Sequence, residues 1–304
     1  MSSQQNSNLF IYVILVLAMF FWGASFIFTS IVLETLDPIS IVFIRILISA
    51  VLLWMIVAIF FRKEKIPSSL FKWIAVLALF QPFIYFICET YGLQRVSPVV
   101  TSLIISTIPV FTAIVMSMFF RAKLTAINFT GIFISLSGVV LMIVGKDMQI
   151  DVDPMGIILL FVAVFAAVGY GILLNKLSTN VHPVWLIAVQ NTIAVIYFLP
   201  LFLALRESPN FDHATVFSFL TPQWEMWTCI LTLSIFCSSL AFIFFTIAVG
   251  KIGVARSAVF SNLTPIFTAI TSFFILGEHL ANSKIIGIFI VIFGLILTQR
   301  KKAE

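Results

Sequence analysis

In the stretch FQPFIYFICETYGLQRVSP, residues 80–98, Gln81, Tyr85 and Glu89 fall four residues apart in an otherwise largely apolar run. On a helix that spacing is one stripe. A carboxylate in hydrocarbon costs about 2.5–3.5 kcal/mol on insertion scales, so such a stripe faces protein or water and not lipid. Two roles are open to Glu89. It forms part of a cavity wall, binding an ammonium group or carrying a proton. Or it lies one turn from the membrane surface and snorkels there, or pairs with Arg95.

Other polar residues sit in similar apolar runs. Trp22, Ser25 and Thr29 share a face, and an indole in a cavity can stack on an organic solute or cation; packing is the other reading. Ser102 and Ser106 precede Pro109, and Ser257, Ser261 and Asn262 precede Pro265. A mid-helix proline frees a carbonyl one turn earlier and kinks the helix. Freed backbone beside small hydroxyls gives either a polar lining with a hinge or helix–helix hydrogen bonds. Tyr170, Gly171 and Asn175, then Ser234, Ser238 and Ser239, then Gln190 and Asn191, admit the same two readings. Arg45 is expected to tie helices together through a carbonyl or a Gln-type partner; substrate binding is its other reading.

The elements that must position these groups follow from composition. Of 304 residues, 62% are hydrophobic and 10% charged, against about 45–50% and about 25% in a soluble domain. A membrane-spanning helix needs about 20 apolar residues. Ten runs qualify: Leu9–Leu33, Pro38–Phe61, Leu70–Leu93, Val96–Phe120, Ala126–Gly145, Pro154–Leu177, Pro183–Leu205, Trp224–Val249, Val254–Leu276 and Ala281–Thr298. They are continuous rather than alternating, which predicts helices and not a barrel. The N-terminal MSSQQNSNLFIYVILVL lacks a basic n-region and is expected to be a retained first span. Cys88, Cys229 and Cys237 lie within apolar runs and read as buried thiols.

Charge sets the orientation. With ten spans both ends share a side, and Arg300, Lys301 and Lys302 make it the cytoplasm. Twelve of the 17 basic residues then lie inside, including Arg62, Lys72, Arg121, Lys123, Lys176, Lys251 and Arg256; nine of the 12 acids lie outside, including Glu34, Asp37, Asp153 and Glu278.

The chain also repeats itself. PVFTAI at Pro109 returns as PIFTAI at Pro265, and the same offset of 156 pairs Leu124 with Leu280, Gly131 with Gly287 and Gly138 with Gly294. Earlier spans match loosely at an offset of 145, which sets Arg45 opposite Gln190. Five spans per half is an odd number, so the halves enter the membrane opposite ways up. The expected fold is an all-α integral membrane protein of ten transmembrane helices in two inverted five-helix repeats, residues 1–148 and 149–304. Such halves have two near-equivalent packings, each opening a central cavity to one side.

The C-terminal stretch AFIFFTIAVGKIGVARSAVFSNLTPIFTAITSFFILGEHLANSKIIGIFIVIFGLIL resembles the C-terminal repeat of EamA-type proteins of the drug/metabolite transporter superfamily. Its marks are a basic residue before a small-residue start, a mid-helix proline, LGE-x-L, and two glycines in the last span. FWGASF at Phe21, Pro38 and Arg45 carry the resemblance into the first half, where Ala122 stands in place of the LGE glutamate. The resemblance implies ten helices, cytoplasmic ends and a cavity lined by spans 1, 3, 4, 6, 8 and 9.

The expected function is secondary transport of a small organic solute by alternating access, as an exporter of amino acids or related metabolites from a bacterial cell across its inner (plasma) membrane. The alternative is an integral membrane enzyme acting on a lipid or isoprenoid substrate. His182, His213 and His279 fall in separate loops, so no His-based metal site is expected, and no ATP-binding motif is present. The expected substrate contacts are Trp22, Ser25, Gln81, Tyr85, Glu89, Ser102, Ser106, Tyr170, Ser238 and Asn262, with Pro109 and Pro265 as hinges. No cofactor, metal or catalytic residue is expected. The partners are a small-molecule substrate and the lipid bilayer, without nucleic acid, for a monomer or homodimer.

Overall fold

A computed structural model describes residues 2–62, 66–120, 126–143, 153–206, 224–277 and 282–298. These residues form ten helical elements and, among them, no strand. The elements are α1 (Ser2–Val32), α2 (Pro38–Phe60), α3 (Ser68–Leu93), α4 (Pro98–Phe119), α5 (Ala126–Ile143), α6 (Pro154–Leu177), α7 (Pro183–Arg206), α8 (Trp224–Ile252), α9 (Val254–Leu276) and α10 (Asn282–Thr298). Eight of them contain stretches long and apolar enough to cross a membrane. The other two, α5 and α10, cover 18 and 17 residues and adjoin residues outside the described set. The protein is therefore an all-α membrane protein. Its outer surface carries many large apolar side chains, with Phe119, Phe133, Phe274 and Phe289 largely exposed, as a lipid-facing surface requires.

Local chemistry sets the helix ends. Asp37 accepts hydrogen bonds from the N–H groups of Ile39 and Ser40, both at 3.0 Å, and Pro38 opens α2. Asp153 does the same for α6 through Met155 at 2.8 Å, ahead of Pro154. Each satisfies backbone donors that the first turn leaves without helical partners. Gly253, at φ 83°, lets α8 turn directly into α9, a backbone state that glycine adopts without steric cost.

Four helices are interrupted. In α3 the turns widen over Leu79–Ile84, and Gln81 is extended at φ −148°, ψ 124°. In α8 they widen over Leu233–Leu240. In α4 the helix breaks at Ser106 and Thr107, just before Pro109. In α9 it tightens to a 3₁₀ turn over Val259–Leu263, just before Pro265. The two prolines lack the N–H that would have met the carbonyls of Ile105 and Ser261. The four interruptions form two pairs separated by about the sequence repeat of 156.

Packing follows the same rule. The main neighbours are α2 with α7, α5 with α10, α1 with α8 and α9, and α6 with α3 and α4. Exchanging the first five elements for the last five, in order, leaves this pattern unchanged. The exchange holds at residue level. A Cβ on Gly138 would sit 2.8 Å from the Val291 backbone nitrogen, and one on Gly294 would sit 2.3 Å from that of Ser135. Positions 135 and 291, like 138 and 294, differ by 156. Because one index rises as the other falls, α5 and α10 run antiparallel. Likewise Phe20 meets Phe267 edge-on at 5.5 Å, and Phe165 meets Phe111 at 5.0 Å.

Candidate solute site

The broken helices surround a partly open cavity. It is walled by Trp22, Ser25 and Phe26 of α1, by Gln81, Tyr85, Phe86 and Glu89 of α3, and by Ile105, Ile108 and Thr112 of α4. Ala167, Tyr170 and Gly171 of α6, Phe245 of α8, and Val254, Ala258, Ser261 and Thr264 of α9 complete the wall, with Arg45 from α2. Both halves of the chain contribute. The lining is mostly apolar and aromatic with a few convergent polar groups, as is usual for a small-molecule site.

The cavity is asymmetric along the bundle. It reaches Val254, the first residue of α9, but stops at Glu89, a turn short of the end of α3. Beyond Glu89 the bundle is filled by buried Val32, Leu36, Leu93, Val96 and Val99. A Cβ on Gly156 would sit 2.5 Å from Val96, and one on Gly92 would sit 2.8 Å from Leu160, so α6 touches both α3 and the link that follows it closely there. Arg95 and Asp153 clasp the same end with an ion pair of 2.7 Å. The Arg95 hydrogen bond, with help from the Met155 N–H, holds the Asp153 carboxyl below its usual range.

The widened turn of α8 explains how charge is held inside. A π-type turn leaves carbonyls without ordinary helical partners, and in hydrocarbon these must find others. The Cys237 carbonyl accepts from Trp22 Nε1 at 3.2 Å, which fixes the indole against Phe242 and Phe245. The Ser238 carbonyl accepts from Ser49 Oγ at 3.2 Å and from Asn191 Nδ2 at 3.3 Å. The Ser234 carbonyl accepts from Ser239 Oγ at 2.8 Å. The Ser238 hydroxyl in turn accepts from Arg45 Nε at 2.9 Å, and the Arg45 guanidinium carbon lies 4.2 Å from the centre of the Phe86 ring. Arg45 is only 1% exposed and Glu89 only 3%. Both face one cavity, yet they make no ion pair within 4.0 Å, and Glu89 Oε2 is buried without a hydrogen-bond partner.

Residues 9–144 and 154–300 each match the EamA-like transporter family. The chain belongs to that family. It is 28% identical over 96% of its length to an uncharacterized transporter of Archaeoglobus fulgidus, covering 98% of that protein. It is 26% identical, again over 96% of its length, to the uncharacterized transporter YetK of Bacillus subtilis, covering 88% of it. One solved crystal structure superimposes with a TM-score of 0.66 over 93% of this chain and 97% of its own, at 13% identity, a likeness of fold alone. The protein is thus a multi-pass membrane transporter.

In this EamA-like transporter, six of the residues predicted from sequence meet at the cavity: Trp22, Ser25, Gln81, Tyr85, Glu89 and Tyr170. Four lie elsewhere. The hydroxyls of Ser102 and Ser106 donate to the carbonyls of Val99 and Leu103, both at 2.7 Å, within their own helix. Ser238 stands behind the wall, holding Arg45. Asn262 is buried off the cavity, and its Oδ1 is without a partner. On α9 the cavity face is instead Val254, Ala258, Ser261 and Thr264, at helical spacing. Pro109 and Pro265 each follow a helix break.

Arg45, expected first as a helix tie, has both a tie, to the Ser238 hydroxyl rather than a carbonyl or Gln-type partner, and a place on the cavity wall. The signal for it was a lone arginine within a span, since such a charge seldom persists without a wet or functional surrounding. Ser261 was among the polar residues noted before Pro265, whereas Thr112 and Thr264 carried no comparable signal, and only the register of the breaks turns them inward.

Proposed function

We propose that the protein is a secondary transporter that moves a small organic solute by alternating access, as an exporter of amino acids or related metabolites. The observation that carries this reading is a cavity walled by both halves of the chain, with a buried cation and a buried carboxylate on it. Two halves of opposite orientation, residues 1–148 and 149–304, supply ten spans. The exchange-invariant packing, the antiparallel α5–α10 pair and the double family match support that division. The distribution of basic residues supports chain ends in the cytoplasm, and the location proposed with it is the inner membrane of a bacterial cell. The cavity then faces inward, where Lys251 and Arg256 flank Val254, and the Arg95–Asp153 clasp closes the outside.

Transport exchanges this arrangement for its mirror in the other half. Breaks before Pro109 and Pro265 let α4 and α9 bend without losing their outer turns, and α5 with α10 serves as a fixed scaffold. The solute rests between the halves against Trp22, Tyr85 and Tyr170. The unit is a monomer or a homodimer.

The test is a counterflow screen in proteoliposomes with pooled amino acids and other metabolites, with and without a pH gradient. Exchange of an unaltered solute supports the reading. A chemically altered product would instead favour a membrane enzyme acting on a lipid or isoprenoid.

A further inference from the structure

Arg45 is anchored in a way that leaves its recognition surface free. Nε is used on Ser238, and the ring of Phe86 packs under the guanidinium carbon. Among the described residues the two terminal NH₂ groups make no hydrogen bond or ion pair. Four N–H donors in a rigid plane therefore remain, a fork that matches the two oxygens of a carboxylate. Lysine would supply the charge without that geometry.

Glu89 is the complement. It makes no hydrogen bond among the described residues, and Oε2 is sealed from solvent. A buried carboxylate with no donor and a buried guanidinium with an idle fork would ordinarily collapse onto one another. They are kept apart because Arg45 is tethered to α8 through Ser238 and Glu89 belongs to α3 beyond the wide turn. Both line the same cavity.

We propose that Arg45 binds the carboxylate and Glu89 the ammonium of a zwitterionic solute, so that the site selects molecules carrying both charges. This assignment rests on the transporter reading above. A simple anion would satisfy Arg45 and leave Glu89 orphaned while adding like charge beside it. A simple amine would do the reverse. A zwitterion pairs both groups and enters with no net charge, which keeps the low-dielectric site neutral. Its remaining, apolar part then lies against Trp22, Tyr170 and Phe245.

The test uses the purified full chain, with thermal stabilisation in detergent and counterflow in proteoliposomes as readouts. Three pools are compared: the proteinogenic α-amino acids, their methyl esters, which are cations, and their N-acetyl derivatives, which are anions. The amino-acid pool is expected to stabilise and exchange, with the other two weaker by at least about tenfold, the order of one charge-assisted bond. Glu89→Gln should shift preference toward the N-acetyl pool, and Arg45→Gln toward the esters. Arg45→Lys should lose affinity for the amino acids while keeping the order of the pools. Gel filtration shows which variants fold, and the wild-type comparison stands without them. Equal binding of the three pools, an unchanged preference in folded Glu89→Gln, or exchange only of solutes lacking the paired charges would overturn the assignment and leave transport intact. Failure to exchange any of the three pools would overturn the proposed amino-acid substrate class itself.

Discussion

Ser238 shows how a small residue can matter without touching a solute. Its hydroxyl is the only hydrogen-bond acceptor of Arg45 among the described residues. Removing it leaves a buried charged donor unpaired, a loss of about 1–3 kcal/mol. Ser238→Ala should therefore lower thermal stability by about that amount, as measured by unfolding in detergent, and Ser238→Thr should not. At the closed end of the bundle Asp153 predicts a pH response. Its carboxyl is held below the usual range by Arg95, so the clasp is present at neutral pH and is lost as pH falls through that lowered value. Labelling of a cysteine placed at Val96, buried in that closed end, should accelerate in acid, and Asp153→Asn should give the fast rate at all pH values. Such residue-scale detail was partly legible. Glu89 and Tyr85 announced themselves as polar groups in an apolar run. Ser102 and Ser106 looked equivalent to them in sequence, but a serine hydroxyl can be satisfied by its own helix, and only coordinates distinguish the two cases.

At the scale of the element, the starts of α2 and α6 were readable because Asp-Pro is a chemical statement: a side-chain acceptor followed by a residue suited to a first turn. Asp37→Ala should cost about 1 kcal/mol, seen as a lower midpoint in thermal unfolding, while Asp37→Asn should cost little. The prolines at 109 and 265 likewise foretold breaks. The wide turns in α3 and α8 were not foretold. Pro82 marks the first in the sequence, but nothing in LSIFCSSL, residues 233–240, distinguishes a π-type turn from an ordinary one. Their consequence is large, because the carbonyls of the second hold Trp22 and the polar group around Ser49 in place. Arg45 could not be assigned to the cavity without knowing that turn.

At the scale of the molecule, the repeat in the sequence foretold a packing in which halves exchange. The glycine contacts make that packing testable. Gly138 and Gly294 each admit a backbone strand of the partner helix at a distance no Cβ tolerates. Gly138→Val and Gly294→Val should each destabilise by about 1–3 kcal/mol, the usual penalty of overpacking, and by similar amounts, because they occupy equivalent places. Unequal effects, one large and one near zero, would argue that the resemblance of the halves stops at sequence. Opposite orientation of the two halves underlies alternating access, in which the cavity opens to one side at a time. It is tested most directly by membrane-impermeant labelling of single cysteines at Lys123 and His279 in intact cells, with permeabilised cells as control. The account predicts labelling at position 279 from outside and at position 123 only after permeabilisation; labelling of both from the same side would contradict it.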